Sequence, residues 1–166
     1  MIYFVCGNMI KLIRKEQLPI CLDILKKSYE NTAETFGMTE ENCPYRGRTR
    51  LPLYIFEKEF DDGYLMYGYI HDNQVVGFLS VLLKDGELCI QDIAILPDHQ
   101  NNGYGSELFL FAKEIAINSK CKRISLGMVY DNIQLRKWYQ NRGFHTINLV
   151  NFEKVRYTVG IMELSL

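Results

Sequence analysis

No apolar run in these 166 residues is long enough to cross a bilayer, and the one nearest the start, residues 2–6, is too short for the core of a secretory signal. An excess of one charge is missing as well. Lys and Arg number 19 against 20 Asp and Glu, a formal net charge of −1, so the chain lacks the global field that draws a protein to nucleic acid or an anionic membrane. The cysteines (Cys6, Cys21, Cys43, Cys89 and Cys121) are five, widely spaced, and include no C-x-x-C pair. That pattern argues against a disulfide framework or a zinc site and for free buried thiols in a reducing compartment. His71, His99 and His145 fall at turns or strand ends without metal-ligand spacing, and no repeat, linker or low-complexity segment interrupts the chain. These absences leave a cytoplasmic protein without metal, nucleic-acid or membrane partner as the expectation. A hydrophobic fraction of 48% suits one globular domain over residues 1–166, with a core of residues 9–164. Residues 1–8 are then an extra strand or the product of an upstream translation start.

What is present centres on residues 88–107, LCIQDIAILPDHQNNGYGSE. The Ile- and Leu-rich start reads as a strand, which Pro97 must end because it cannot donate to a ladder. A polar turn carrying Gly103 and Gly105 follows, and from Leu108 the apolar residues adopt helical spacing. Such a turn leaves backbone N–H groups unpaired at the positive end of a helix dipole, which makes it a phosphate site built of main chain. A Rossmann turn needs a small third residue where Leu108 stands, and a P-loop needs Gly-Lys-Ser/Thr, whereas Lys113 is the first lysine beyond the turn. Neither fits.

The rest of the chain gives a coarse order of elements. Residues 9–14 alternate apolar and basic and read as a strand, and Leu18, Cys21, Leu22, Leu25 and Tyr29 mark an amphipathic helix that Gly37 stops. Thr39 could open a helix that Pro44 and Gly47 interrupt, and residues 51–60 read as another. Residues 64–71 and 74–84 are strands joined at Asp72-Asn73, and Asp85-Gly86 turns into the central strand. After the helix that starts past Gly105 come a strand at 123–129, a helix capped by Asp131 or Asn132 and ended by Gly143, and closing strands at 144–150 and 156–164. The fold class is therefore α/β in the mixed-sheet sense: an antiparallel meander leading into strand–phosphate turn–helix, then strand–helix–two strands.

Two segments carry a family resemblance. The run Gln100-Asn-Asn-Gly103-Tyr-Gly105 resembles the Gln/Arg-x-x-Gly-x-Gly/Ala signature of the GNAT superfamily, the acyl-CoA-dependent N-acyltransferases. Downstream, DNIQLRKWYQNRGF at 131–144 resembles its second signature, with Asn132, Tyr139, Gly143 and Phe144 in register. The resemblance implies transfer of an acetyl group from acetyl-CoA, the co-substrate, to a primary amine of a small molecule or peptide, by direct attack in a ternary complex. The protein would be a monomer or homodimer. Longer acyl groups, a hydroxyl acceptor, and a non-catalytic acyl-CoA sensor remain as alternatives.

By position, the resemblance assigns the pyrophosphate to Gln100, Asn101, Asn102, Gly103, Tyr104, Gly105 and Ser106, and the pantetheine arm to the main chain of Ile93, Ala94 and Ile95 at a local bulge, with Asn132 nearby. One of those strand amides would hold the thioester carbonyl. Tyr139 matches the general acid, against the plain alternative of a core aromatic, and Asp92 beside the carbonyl site is the candidate base. The turn has asparagines where most relatives have basic residues, so Arg136 and Lys137 are candidates for charge toward an outer phosphate, or simply a solvated helix face. Leu135 stands where a small residue is usual. The cluster Arg46, Arg48 and Arg50 would suit an acidic acceptor if it faced the cleft.

Overall fold

A computed structural model describes residues 2–5 and 8–166, with side chains from Met9 onward. Its elements in chain order are β1 (Ile2–Val5), β2 (Asn8–Leu12), α1 (Leu18–Thr35), α2 (Leu53–Asp61), β3 (Leu65–His71), β4 (Gln74–Lys84), β5 (Glu87–Ile95), α3 (Tyr104–Asn118), β6 (Arg123–Val129), α4 (Ile133–Gln140), β7 (His145–Asn151) and β8 (Thr158–Ser165). The strands form one sheet in the order β1-β2-β3-β4-β5-β6-β8-β7. Every pairing is antiparallel except β5 with β6. Ile2–Val5 pair with β2, Val5 opposite Asn8; Met1, Cys6 and Gly7 lie outside the described residues.

Local sequence explains most of these elements. Asp72 and Asn73 both take positive φ, 49° and 62°, the conformation a two-residue hairpin turn demands. The stripe on α1 buries Leu18, Cys21, Leu22, Ile24, Leu25 and Ala33, and α3 buries Leu108, Phe109, Phe111, Ala112 and Ala116. These helices cover opposite faces of the sheet. On the α1 and α2 side, Phe56, Met66, Phe78 and Ala94 join the α1 stripe. On the α3 side lie Tyr67, Tyr69, Leu79, Leu88, Ile90, Ile95 and Tyr139.

Thr39 does not open a helix. Its hydroxyl accepts from the Asn42 amide at 3.3 Å and its own amide donates to Asn42 Oδ1 at 2.8 Å, the reciprocal bonds of a capped first turn. Pro44 then stops propagation, and Tyr45, Arg46, Gly47 and Arg48 take φ of 53°, 47°, 57° and 78°. Gly47 suits this left-handed stretch by its φ, and a Cβ there would sit 2.4 Å from Met38 Sδ, so the thioether would have to move.

The sheet has one discontinuity, and it positions the site. β5 runs beside β6 only from Glu87 to Ile90, so beyond Ile90 the two strands part and β5 has a free edge. At the same place its register with β4 shifts, Val81 facing Ile90 but Ser80 facing Asp92, which makes Gln91 a β-bulge. The extra residue reverses the side-chain alternation. Leu88 and Ile90 pack on the α3 face, and so do Ile93 and Ile95, while Ala94 packs on the α1 and α2 face.

Phe78, fully buried, packs its ring 5.4 Å from Phe56 directly across from Ala94. We expect Phe78→Ala to cost about 3–5 kcal/mol, read as a lower urea midpoint at unchanged m-value. A loss under 1 kcal/mol would mean that this face of the core does not support β5.

Candidate active site

Where β5 and β6 part lies a cleft of about 1030 Å³. Its walls are Tyr29 and Thr32 of α1, Gly47 and Arg48 of the following loop, Asp92, Ile93 and Ile95 of β5, the turn from Gln100 to Ser106 except Asn102, Leu126 and Met128 of β6, and Asn132, Leu135 and Tyr139 around α4. The free edge of β5 alternates. Ile93 O accepts from the Tyr29 hydroxyl at 3.5 Å and Ile95 O from Gln100 Nε2 at 3.0 Å, so the main-chain groups of both residues face away from β4. Ala94, between them, is directed toward its partner Phe78, and its side chain is 1% exposed in the α1-side core. The outward main-chain groups on this edge are therefore those of Ile93 and Ile95, while Ala94, also a candidate from the sequence, is turned toward β4.

The turn holds a set of unpaired main-chain donors. The amide of Gln100 is spent on Pro97 O at 3.2 Å, and those of Ser106 and Glu107 both go to Gly103 O. Among the described residues, the amides of Asn101, Asn102, Gly103, Tyr104 and Gly105 have no acceptor. They open the N-terminus of α3, with Asn101 at φ 63° and Gly103 at φ 86° turning the chain so that the amides converge. The Asn102 side chain points elsewhere: it donates to His99 O and Gln100 O, both at 3.2 Å, and braces the turn without lining the cleft. Tyr104 sends its ring back onto Tyr69, 4.7 Å away and stacked, and shares a 3.3 Å hydrogen bond with His71 Nδ1.

Because of the bulge, Asp92 turns toward α1 and α2 and is 1% exposed. Arg48 Nη2 donates to its Oδ2 at 2.8 Å, while Arg48 Nη1 and Nη2 hold the two oxygens of Glu59 at 2.8 Å each. Oδ1 of Asp92 and Nε of Arg48 are buried with no partner. Burial pushes the Asp92 carboxyl up to about 6, against the pull of the Arg48 charge; Glu59 raises it further, and the Arg48 hydrogen bond and the nearby Tyr29 hydroxyl lower it. Burial disfavours the cation on Arg48, but the Glu59 hydrogen bonds and the charges of Asp92 and Glu59 outweigh that, so it stays charged. The arginine cluster does not face the cleft as free charge. Arg48 is neutralised by two carboxylates, Arg46 pairs with Glu30, and Arg50 is exposed.

Tyr139 is 7% exposed, with its ring edge-on to Trp138 at 4.9 Å and to Phe144 at 5.4 Å. It is both a core aromatic and a cleft residue. Burial raises its phenol well above the ordinary range, Arg142 draws it down, and the Asp92 charge raises it. Asn132 caps α4, accepting from the Leu135 amide at 3.0 Å, and Asp131 instead accepts from the Thr158 amide at 2.6 Å. Arg136 is engaged with Tyr130, donating to its carbonyl at 3.1 Å and lying 4.3 Å over its ring. The cation that reaches the turn is Arg142, which donates to Ser106 Oγ at 2.5 Å and stacks 3.5 Å from the Trp138 ring.

Arg142 is absent from the sequence reading, Tyr29 enters it only as part of a helix stripe, and Arg48 only within a cluster weighed for the acceptor. Arg142 had a usable signal: it stands four residues after Trp138 at a helix end, and its neighbour Gly143 belongs to the second signature. Nothing local links Arg48 to a carboxylate 44 positions away.

The position of Asp92 has a measurable consequence for stability. Its folded-state pKa, about 6, lies above the value of 3.8 for an unperturbed carboxyl, so the native state holds this proton more tightly. The stabilisation is complete below about pH 4 and is lost as pH rises through 6, by up to about 3 kcal/mol. Wild type should therefore lose stability relative to Asp92→Asn by that order between about pH 4 and pH 7, measured by denaturant unfolding at each pH. A difference independent of pH would show that Asp92 is not a strained buried carboxylate.

Comparison with known proteins places this geometry. The family model described as "Acetyltransferase (GNAT) family" matches residues 23–144. The ribosomal-protein-S18-alanine N-acetyltransferase of Escherichia coli superposes with a TM-score of 0.76 at 17% identity, covering 95% of this chain and 93% of that one. The paia N-acetyltransferase of Thermoplasma acidophilum, solved in complex with coenzyme A, gives 0.75 at 17% identity, covering 96% and 99%. A ribosomal-protein-alanine N-acetyltransferase of Brucella melitensis gives 0.71 at 17% identity, covering 95% and 99%. Among the described residues no helix is long and apolar enough to cross a membrane. The match over most of the chain, on a sheet that opens where the family's two signatures meet, makes this protein a member of the GNAT family, an N-acetyltransferase of the kind that uses acetyl-CoA as co-substrate.

Proposed function

We propose that the protein transfers the acetyl group of acetyl-CoA to the α-amine of a peptide or small molecule, by direct attack within a ternary complex. The observation that carries this reading is the continuity of three features in one cleft: the free edge at Ile93 and Ile95, the converging amides from Asn101 to Gly105, and the pair Asp92 and Tyr139. The amides and the α3 dipole suit a pyrophosphate without a basic side chain, and Arg142, through Ser106, sets the hydroxyl that completes the turn. An extended amide-bearing pantetheine arm fits the free strand edge as an added strand, with Asn132 beside it. The outward amide of Ile93 then serves the thioester carbonyl as a single oxyanion donor.

The two ionisable groups are set for opposite tasks. Asp92, at about 6, is an anion at neutral pH and receives the proton of the incoming ammonium. Tyr139, held above its ordinary range, stays protonated and gives its proton to the departing sulfur. An α-amine, near 7.7–8.0, lies about two units above Asp92, whereas a lysine side chain near 10.4 lies more than four units above, an extra cost of about 3 kcal/mol. Charge at the mouth favours the same class. Among the described cleft residues Asp92 is the only carboxylate, and it is paired, so no acidic wall invites a polycationic acceptor. The E. coli neighbour, by its name, modifies an alanine of ribosomal protein S18, which agrees with an α-amine.

Release of free thiol from acetyl-CoA, followed across peptides with small N-terminal residues, their N-blocked lysine-containing counterparts and polyamines, tests the proposal. We expect turnover with the free α-amines. Tyr139→Phe should lower kcat and kcat/KM together by about 10- to 1000-fold at little change in cofactor affinity. Turnover only of the blocked peptides or polyamines would reject the α-amine class. Tight acetyl-CoA binding with no turnover of any amine would turn the reading to a sensor, and unchanged rates in Tyr139→Phe would end the acid assignment.

A further inference from the structure

Asp92 cannot meet an acceptor directly. Its Oδ2 is held by Arg48, its Oδ1 is sealed from solvent without a partner, and the residue as a whole is 1% exposed. A group that is to take a proton from the cleft therefore needs an intermediary whose own polar atom is in the cleft wall. Tyr29 of α1 is placed for this: it is half-buried in the cleft wall, whereas the oxygens of Asp92, though that residue also borders the cleft, are held or sealed. Tyr29 lines the cleft, its hydroxyl is 3.5 Å from the outward carbonyl of Ile93, and it is close enough to Asp92 to favour the charged carboxylate without closing a hydrogen bond to Oδ1. The bond to Ile93 is long and correspondingly weak, so a turn of the hydroxyl about its C–O axis from that carbonyl toward Asp92 sacrifices little. Ser80, opposite Asp92 on β4, also has a buried unpartnered hydroxyl, but it is fully enclosed and does not line the cleft.

We infer that the Tyr29 hydroxyl is the catalytic group that takes the acceptor's proton and passes its own to Asp92, an inference that rests on the acetyl-transfer reading above. As the bound ammonium gives a proton to Tyr29 Oη, the phenolic proton moves to Asp92 Oδ1. This leaves a neutral amine, a neutral tyrosine and a protonated carboxyl, with no carbon bond made or broken. The neutral amine then attacks the thioester carbon and the carbon–sulfur bond breaks with Tyr139 giving its proton to sulfur; the proton that nitrogen loses as the amide forms returns to the Tyr139 oxygen, so the phenol is restored and no net charge is left. The carboxyl releases its proton to solvent by the same path after product leaves. Burial keeps the Tyr29 phenol well above its ordinary range, so it passes protons without resting as a phenolate. The charged and titratable groups facing Asp92 are Arg48 from the α1–α2 loop, Glu59 from α2, Tyr29 from α1 and Tyr139 from α4. Of these, Arg48 and Glu59 are locked to each other, and Tyr139 is committed to the sulfur in the proposed reaction.

The experiment compares pH profiles of kcat/KM for wild type, Tyr29→Phe, Asp92→Asn and the double variant, with an α-amine peptide. In wild type, where the site itself deprotonates the amine, kcat/KM levels off just above the titration of Asp92. Tyr29→Phe should lose about 100-fold at neutral pH. Its remaining rate should climb with unit slope toward the amine's own pKa, because only the neutral fraction reacts. Asp92→Asn should show the same profile, and the double variant should be no slower than either single one. In parallel, the carboxyl ¹³C titration of Asp92, assigned by its absence in Asp92→Asn, should move upward in Tyr29→Phe, since a nearby hydroxyl that favours the charged form has been removed. A Tyr29→Phe profile parallel to wild type, losses that multiply in the double variant, or an unmoved Asp92 titration would overturn the relay while leaving an active wild type as an acetyltransferase. A wild type that turns over no amine overturns the parent reading instead.

Discussion

One inserted residue, Gln91, governs the site. Without the bulge, the period of two that puts Leu88 and Ile90 on the α3 face would put Asp92 there as well, among Phe111, Leu126 and Tyr139. With it, Asp92 reaches Arg48, which Glu59 also holds, on the other face, and Ile93 and Ile95 keep the α3-side core filled. The same point ends the pairing of β5 with β6, so the bulge coincides with the start of the free edge. A single local irregularity thus yields both the groove and the buried carboxylate beside it.

The loop between α1 and α2 completes the arrangement at some cost. Tyr45, Arg46 and Arg48 sit at positive φ, each worth on the order of 1–3 kcal/mol of backbone strain. What holds them is specific. Arg46 donates to Met38 O at 3.1 Å and pairs with Glu30, the Arg50 amide returns to Tyr45 O at 2.9 Å, and Arg48 is clamped by Glu59 and Asp92. Across the cleft, the Tyr157 hydroxyl reaches Cys43 Sγ at 3.1 Å, tying this loop to the segment before β8. The strain is the means by which a loop guanidinium is delivered to a strand carboxylate.

Legibility in the sequence followed the range of the interactions. The meander, the turn after β5, the helix capped by Asn132 and the closing strands rest on periodicity, Gly, Pro and Asx signals within a few residues, and they are found where those signals stand. Residues 51–60, read as a helix, form α2 at Leu53–Asp61, but residues 39–50 resisted because their conformation depends on partners in α1, α2 and β5 rather than on neighbours. The bulge itself has no local mark, since a Gln between Ile90 and Asp92 reads as an ordinary strand residue. For the same reason Ala94 was grouped with Ile93 and Ile95: an apolar run conceals which main-chain groups face outward until the partner strand is known. The side chains of Asn102 and Arg136 were not legible either, because polar groups near a helix end satisfy local carbonyls first.

The central claim is that acetyl-CoA occupies the free edge of β5 and the amides after it. Residue-resolved amide hydrogen exchange with and without saturating acetyl-CoA measures this most directly. The account predicts added protection at Ile93, Ile95 and from Asn101 to Gly105, with Ala94, already paired toward β4, unchanged. Protection confined to another face of the sheet, or none at these amides despite saturation, would contradict it.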